Sequence, residues 1–149
     1  MAFELTSASL RRMCKERNQY SSRPDLNEIL HLHYKGITKL ENLDEYTGLR
    51  TLYLECNAIE EIEGLEKLVE MRCLYLGQNI LRSVAGLHTM THLETLDVSE
   101  NDISHVDNLS CLPKLRTLNI AANKLASAAS IAHLTECPSL TSVDLGKNQ

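Results

Sequence analysis

The side chains best suited to chemistry in this 149-residue chain are its six histidines and five cysteines. His31 and His33 stand two apart, which puts both on one side of a strand, with Cys56 expected to emerge beside them from the adjacent segment. Two imidazoles and a thiolate could begin a zinc site, but the spacing matches no compact ligand motif and no fourth ligand is evident. A pair of surface histidines on a binding face is the better account. His88 and His92 have the separation of a zinc-protease helix, yet Thr89 stands where that chemistry needs a glutamate base. No serine or cysteine sits in a nucleophile elbow and no glycine-rich phosphate loop occurs; the glycines read as scattered through turns. No catalytic residue, no metal and no cofactor is therefore expected.

Composition narrows the class further. The 15 Lys+Arg and 20 Asp+Glu leave a net charge of −5. The first 25 residues are mildly basic and the rest acidic, so no nucleic-acid partner is expected. No apolar run approaches the roughly 18 residues of a membrane span, and Met1 to Tyr20 lacks the order of a secretory signal, so no membrane partner is expected and a soluble, non-secreted protein is. Cys14, Cys56, Cys73, Cys111 and Cys137 are odd in number, well separated and free of any Cys-x-x-Cys, and read as reduced thiols in a cytosolic setting. Asn108-Leu109-Ser110 fits a glycosylation acceptor but carries no weight without a secretory route.

The elements that must position these side chains are written in an internal repeat. Leu49, Leu52, Leu54, Ile59, Ile62, Leu65 and Leu68 surround Asn57, and a shift of 22 residues reproduces the pattern around Asn79 and then Asn101. A fourth copy, 25 residues long, runs from Leu115 through Leu118, Ile120, Asn123 and Leu125, and a last one opens at Leu140 with Val143, Leu145 and Asn148. Before Leu49 an imperfect copy has Leu30, Leu32, Ile37, Leu40 and Leu43, with Lys35 in the place of the asparagine. A triplet such as Leu52-Tyr53-Leu54 sends two leucines to one side of a short strand and the middle residue to the other. Stacking the copies makes the leucines one continuous core, and the recurring asparagine becomes a ladder that satisfies backbone groups in the turns. A Leu-rich helical bundle would need a 3.6-residue period and leaves the asparagines unexplained.

The spacing predicts an α/β solenoid with parallel strands near Leu30–Leu32, Leu52–Leu54, Leu74–Leu76, Leu96–Val98, Leu118–Ile120 and Val143–Leu145. Residues 1–25 are expected as a helical cap, started by Ser7 or Ser9, with Leu10, Met13, Cys14 and Arg17 on one side and Arg23-Pro24 ending it. Residues 26–149 hold six repeats, and because the sequence stops within the last, a fragment of a longer protein is expected.

Outward strand positions are not needed for the core and line the concave surface of a solenoid. They read His31, Tyr53, Tyr75, Asp97, Asn119 and Asp144 in one file, with His33, Glu55, Gly77, Ser99, Ala121 and Gly146 beside them, then Tyr34, Cys56, Gln78, Glu100, Ala122 and Lys147. Clustered tyrosine with histidine and acids has the composition of a protein-binding hot spot. The expected protein-binding residues are His31, His33, Tyr34, Tyr53, Glu55, Tyr75, Gln78, Asp97, Ser99, Glu100 and Asn119. The acidic run from Glu41 to Glu70 reads first as a solvated outer face and second as a dock for a basic partner.

The period and motif resemble the leucine-rich repeat. The stretches Leu30-His31-Leu32-His33-Tyr34-Lys35-Gly36, Glu41 to Leu49, Leu54-Glu55-Cys56-Asn57 and Asn108 to Pro113 are similar to the leucine-rich-repeat dynein axonemal assembly factors. That resemblance implies a monomeric protein-binding scaffold in the cytoplasm of ciliated or flagellated cells, where dynein arms are preassembled, with dynein heavy chains, chaperones or other assembly factors as partners. A phosphatase regulatory subunit and a structural dynein light chain carry the same repeat class and stand as alternatives.

Overall fold

The computed structural model describes residues 3–148. One helix, α1 (Ser7–Glu16), precedes six three-residue strands, β1 (Ile29–His31), β2 (Thr51–Tyr53), β3 (Cys73–Tyr75), β4 (Thr95–Asp97), β5 (Thr117–Asn119) and β6 (Ser142–Asp144). All six form one parallel sheet in chain order, so each repeat is a coil laid beside the previous one. The register aligns Leu30, Leu52, Leu74, Leu96, Leu118 and Val143, and the five leucines of that file are buried. Leu32, Leu54, Leu76, Val98 and Ile120 make the next file, and the leucines, isoleucines and valines of the returns close the same core.

The strands begin and end one residue earlier than the leucine pattern suggests, at Ile29–His31 instead of Leu30–Leu32 and so on to Ser142–Asp144 instead of Val143–Leu145. The hydrogen-bond ladder nonetheless runs on, from Leu32 N to Tyr53 O at 2.8 Å and from Tyr34 N to Glu55 O at 3.1 Å. What ends each strand is a turn of the backbone into the left-handed region, where Tyr34, Cys56, Gln78, Glu100, Ala122 and Lys147 all lie, with φ between 53° and 58°. A second left-handed file, Asn42, Gly64, Gly86 and Asn108, recurs at the repeat period on the returns. Two of the six glycines, Gly64 and Gly86, are thus in register: a Cβ on Gly64 would stand 2.6 Å from Leu40 O, and one on Gly86 2.1 Å from Ile62 O.

The asparagines bridge neighbouring coils. Asn101 Oδ1 accepts from Leu81 N in the coil before it at 2.9 Å, while its Nδ2 donates to Leu76 O of that coil and to Val98 O and Ser99 O of its own, all at 3.0 Å. Asn57, Asn79, Asn123 and Asn148 repeat this arrangement. Asn79, Asn101 and Asn123 are buried, so the groups they satisfy have no water to fall back on.

At the N-terminal end, the helix cap is Thr6 and neither Ser7 nor Ser9. Thr6 Oγ1 accepts from Ser9 N at 3.0 Å and Ser9 Oγ accepts from Thr6 N at 3.0 Å, a reciprocal box with Ser9 inside the helix. Leu10, Met13 and Cys14 are buried as their spacing suggests, but Arg17 is an exposed C-cap. The helix stops at Glu16, well short of Arg23-Pro24, and Pro24 instead opens a short 3₁₀ turn, Pro24–Leu26. The early stop lets Tyr20 reach the sheet edge, where its hydroxyl accepts from His31 N at 3.1 Å. Asn27, in the position that Leu49 fills in the next repeat, is buried and ties the cap together by accepting from Ser21 N at 2.8 Å and donating to Ser21 O at 3.0 Å. Tyr46, 1% exposed, fills the space between α1 and the first coil.

The 25-residue fourth repeat uses its extra length for two 3₁₀ segments, Ala128–Ser130 and Ala132–Glu136. They bring Ser130 O to Val106 N at 2.8 Å and His133 Nε2 to Leu109 N at 3.0 Å. His133 thus does for one backbone amide what no residue does by period.

Asn101→Leu adds apolar surface yet removes partners from buried backbone groups, each worth about 1–3 kcal/mol. The urea midpoint should fall by that measure, and by less for Asn148→Leu, which lies half-exposed in the last coil. An unchanged midpoint for Asn101→Leu would refute the ladder. Burial also pushes the Tyr46 phenol above its ordinary 10 and the Cys14 thiol above its ordinary 9. The unfolded chain releases those protons at the ordinary values while the folded chain holds them. Their stabilisation is complete below about pH 9 and drains as the pH rises toward the raised folded values. Between about pH 9 and 11 the melting temperature of Tyr46→Phe should therefore fall less steeply than that of the parent; parallel slopes would contradict this.

Candidate functional site

The parallel register sets His31, Tyr53, Tyr75, Asp97, Asn119 and Asp144 side by side on the outward face of the sheet. Strands about 4.8 Å apart leave flat rings in one file little choice but to stack. His31 lies parallel to Tyr53 with centroids 4.7 Å apart and 6° between planes, and Tyr53 lies parallel to Tyr75 at 4.9 Å and 6°. His33 meets His31 and Tyr53 edge-on at 5.8 and 6.4 Å, and Tyr34 in turn meets His33 at 5.8 Å. Five rings from three successive coils thus form one contiguous aromatic corner. Burial, and after it the neighbouring Cys73 thiol, pushes the Tyr75 phenol above its ordinary value, so it is neutral at physiological pH.

Beyond Tyr75 the same file changes character. Asp97 Oδ1 accepts from Ser99 N at 2.9 Å and from Ser99 Oγ at 2.7 Å. Asn119 Oδ1 accepts from Ala121 N at 3.1 Å, and Asp144 Oδ1 from Gly146 N at 2.9 Å. These short side chains fold back on their own strand ends as Asx turns. Asn119, named with the binding residues from sequence, therefore has a local structural partner, as has one oxygen of Asp97.

Tyr34, Gln78 and Glu100 are not strand residues. They stand on the left-handed rim with Cys56, whose thiol hydrogen-bonds Gln78 Oε1, and Gln78 Nε2 donates to Glu100 Oε2 at 2.7 Å. Tyr34 is 75% exposed. Its phenol is held above the ordinary value first by its hydrogen bond with Cys56. Glu55 and His33 are half-buried in the second file, and the structure leaves Glu55 Oε1 and His33 Nδ1 out of solvent without a hydrogen-bond partner. Among the described residues no three His, Cys, Asp or Glu side chains converge to hold a metal ion. No described helix is long and apolar enough to cross a membrane. The acids of the returns, Glu41, Asp44, Glu45, Glu60, Glu61, Glu66 and Glu70, are exposed, and Glu45 pairs with Arg11 of α1 at 2.7 Å.

Comparison with known proteins supports the repeat directly. A family model described as Leucine Rich repeats (2 copies) matches residues 91–133. The human dynein axonemal assembly factor 1 is 50% identical over 50 residues, a match covering 34% of this chain and 7% of that protein. A Drosophila erecta homolog of the same factor is 46% identical over 52 residues, covering 35% of this chain and 3% of that protein. The matched stretch is thus a small part of these relatives. Among solved structures, a leucine-rich-repeat protein of Leptospira interrogans superposes with a TM-score of 0.74 at 17% identity, covering 93% of this chain and 33% of that one. An internalin of Listeria monocytogenes does so at 0.55 and 21% identity, covering 76% and 39%. At such identities the two structures speak for the fold alone. The chain is a leucine-rich-repeat solenoid, and its resemblance to the dynein axonemal assembly factors holds over about a third of its length.

The ring stack is surface packing and not core. Replacing Tyr53 and Tyr75 together by Ala should lower stability by only about 1 kcal/mol through lost stacking, against the 2–5 kcal/mol expected for Leu74→Ala in the core. Urea melts of the two variants check this, and a tyrosine variant as unstable as Leu74→Ala would make the rings structural.

Proposed function

We propose that this chain is a non-catalytic, protein-binding scaffold that serves the preassembly of axonemal dynein arms in the cytoplasm of ciliated or flagellated cells. The observation that carries the binding reading is the ring stack of His31, Tyr53 and Tyr75, part-exposed on the outward face and given no structural duty by the core. Tyrosines in such a patch give large contact area at small entropic cost, as at protein-binding hot spots. The dynein part of the reading is supported by the similarity to the human assembly factor and its fly homolog. Dynein heavy chains, chaperones or other assembly factors are the partners this implies, docking on His31, His33, Tyr34, Tyr53, Glu55, Tyr75, Gln78, Asp97, Ser99 and Glu100.

The test is capture from the cytosol of ciliated cells, with dynein heavy chains quantified by mass spectrometry for the parent, for Tyr53→Ala with Tyr75→Ala, and for Glu61→Ala with Glu63→Ala on the return. Hot-spot truncation costs about 2 kcal/mol or more, roughly thirtyfold in affinity, so the tyrosine variant should lose the heavy chains while the return variant keeps them. The reverse result would move the docking surface to the acidic returns. Capture of a phosphatase catalytic subunit, or stable retention on extracted axonemes, would replace the assembly role with the phosphatase or light-chain alternative.

A further inference from the structure

Arg50 and Arg72 hold the same position in successive coils, and no other position of the repeat carries Lys or Arg in two coils running. Arg72 N donates to Arg50 O at 2.8 Å and Glu94 N to Arg72 O at 2.8 Å, so the file runs Glu28, Arg50, Arg72, Glu94 and Arg116, each just ahead of its strand. Glu94 and Arg116 line one cleft with the strand residues Cys73, Thr95 and Thr117, which places the file along the border of the outward face.

Three properties of this border point to one kind of occupant. Its charge is uncompensated within the chain. Among the described residues Arg50 comes within 4.0 Å of a carboxylate only at Glu28, Arg72 pairs with none, and the neighbouring Glu94 is taken by Arg116 at 3.0 Å. Both arginines are exposed, and like charges side by side repel, so the stack gains no electrostatic support from holding them together. The third property is position. Three residues further along the same strands stand Tyr53 and Tyr75 of the ring stack, and past them lie Glu55, Asp97 and Glu100. The outward face is thus basic where β2 and β3 begin, aromatic in the middle and acidic where the strands end.

We propose that Arg50 and Arg72 together hold a carboxylate side chain of the protein partner, on an extended segment that runs along the strands and lays an aromatic side chain on Tyr53 and Tyr75. Two guanidiniums present planar forks of fixed donors that match the two oxygens of a carboxylate, and the opposite signs at the two ends of the strands set which way round the segment lies. Arg50 and Tyr53 are three residues apart, about 10 Å along a strand, so the acidic residue stands three from the one on the rings. The assignment rests on the reading of the outward sheet face as the docking surface, and adds the group that this surface recognises.

The experiment is an amide-detected NMR titration of the whole chain with the blocked tetrapeptide acetyl-Glu-Gly-Gly-Tyr-amide, run beside its glutamine counterpart and inorganic phosphate. The glutamate peptide should move the Cys73 and Tyr75 amides saturably. The glutamine peptide should bind at least about fivefold more weakly, and Arg50→Gln with Arg72→Gln should bring the glutamate peptide down to the same level. Arg82→Gln, at an exposed arginine of a return, should leave the affinity as it is. The dispersed amide spectrum of each variant reports its fold independently. Equal binding of the two peptides, shifts centred on Arg11, Arg12 and Lys15 of α1, or shifts that survive the arginine double variant would overturn the assignment. So would tighter binding of inorganic phosphate than of the glutamate peptide at Cys73, which would make the pair a phosphate site. The two readings separate cleanly. Loss of dynein heavy chains in the tyrosine variant with no glutamate response at Cys73 keeps the docking surface and removes the arginine site. A glutamate response that the arginine variant abolishes, with heavy-chain capture intact in the tyrosine variant, does the opposite.

Discussion

Everything regular in this molecule depends on one side-chain amide per coil. A coil of about 22 residues must reverse its direction twice, and each reversal buries backbone groups that a strand would have paired. The asparagine amide satisfies them in both directions at once, accepting from the turn of the coil before and donating to carbonyls of both coils. This polarity explains why the first copy has Lys35 in place of asparagine. Among the described residues the cap, and not another coil, lies before the first repeat, so an asparagine there would lack the coil-to-coil half of its bonds, while Leu32 O and the Lys35 and Ile37 amides of the first turn are already served by Asn57. The departure from the repeat is a consequence of the ladder and no flaw in it.

The same constraint sets the shape of the rim. Holding the asparagine inward requires the preceding residue to turn into the left-handed region, a conformation that costs a non-glycine residue roughly 1–2 kcal/mol. Six residues accept it, and none is glycine. The cost is offset because each left-handed amide from Tyr34 to Ala122 still donates across to the next coil, for instance Gln78 N to Ser99 O at 2.9 Å. A position that tolerates tyrosine, cysteine, glutamine, glutamate, alanine and lysine alike is free to vary in chemistry while its backbone does not.

How much of this was legible in the sequence follows from the same logic. Period reports whatever recurs, so the core leucines, the asparagine ladder and the outward file from His31 to Asp144 could be read residue by residue. It is blind to contacts made once. Thr6, Tyr20, Asn27, Tyr46 and His133 each solve a single problem at an end or in the long fourth repeat, and no spacing marks them. Pro24 is a strong local stop, yet the helix ends earlier, at Glu16, and the chain beyond it carries Tyr20 to the edge of β1, a tertiary contact that no local signal marks. The glycine file was legible in principle, since Gly64 and Gly86 are 22 apart, but Asn42 and Asn108 at its two ends conceal it unless left-handed propensity is counted instead of residue type.

In the candidate site, position was legible and duty was not. The outward file could be listed from the repeat, yet it divides into two halves with different obligations. Asp97, Asn119 and Asp144 each bind an amide two residues on, so the C-terminal half commits its side chains to the turn that follows the strand. In the N-terminal half, the rings of His31, Tyr53 and Tyr75 cap no such turn and make contact mainly with one another. Evolution of a binding surface on a solenoid has to use positions that the coil itself does not need. By that criterion the docking surface proposed above falls on the aromatic half, whose rings can change without weakening the stack that presents them.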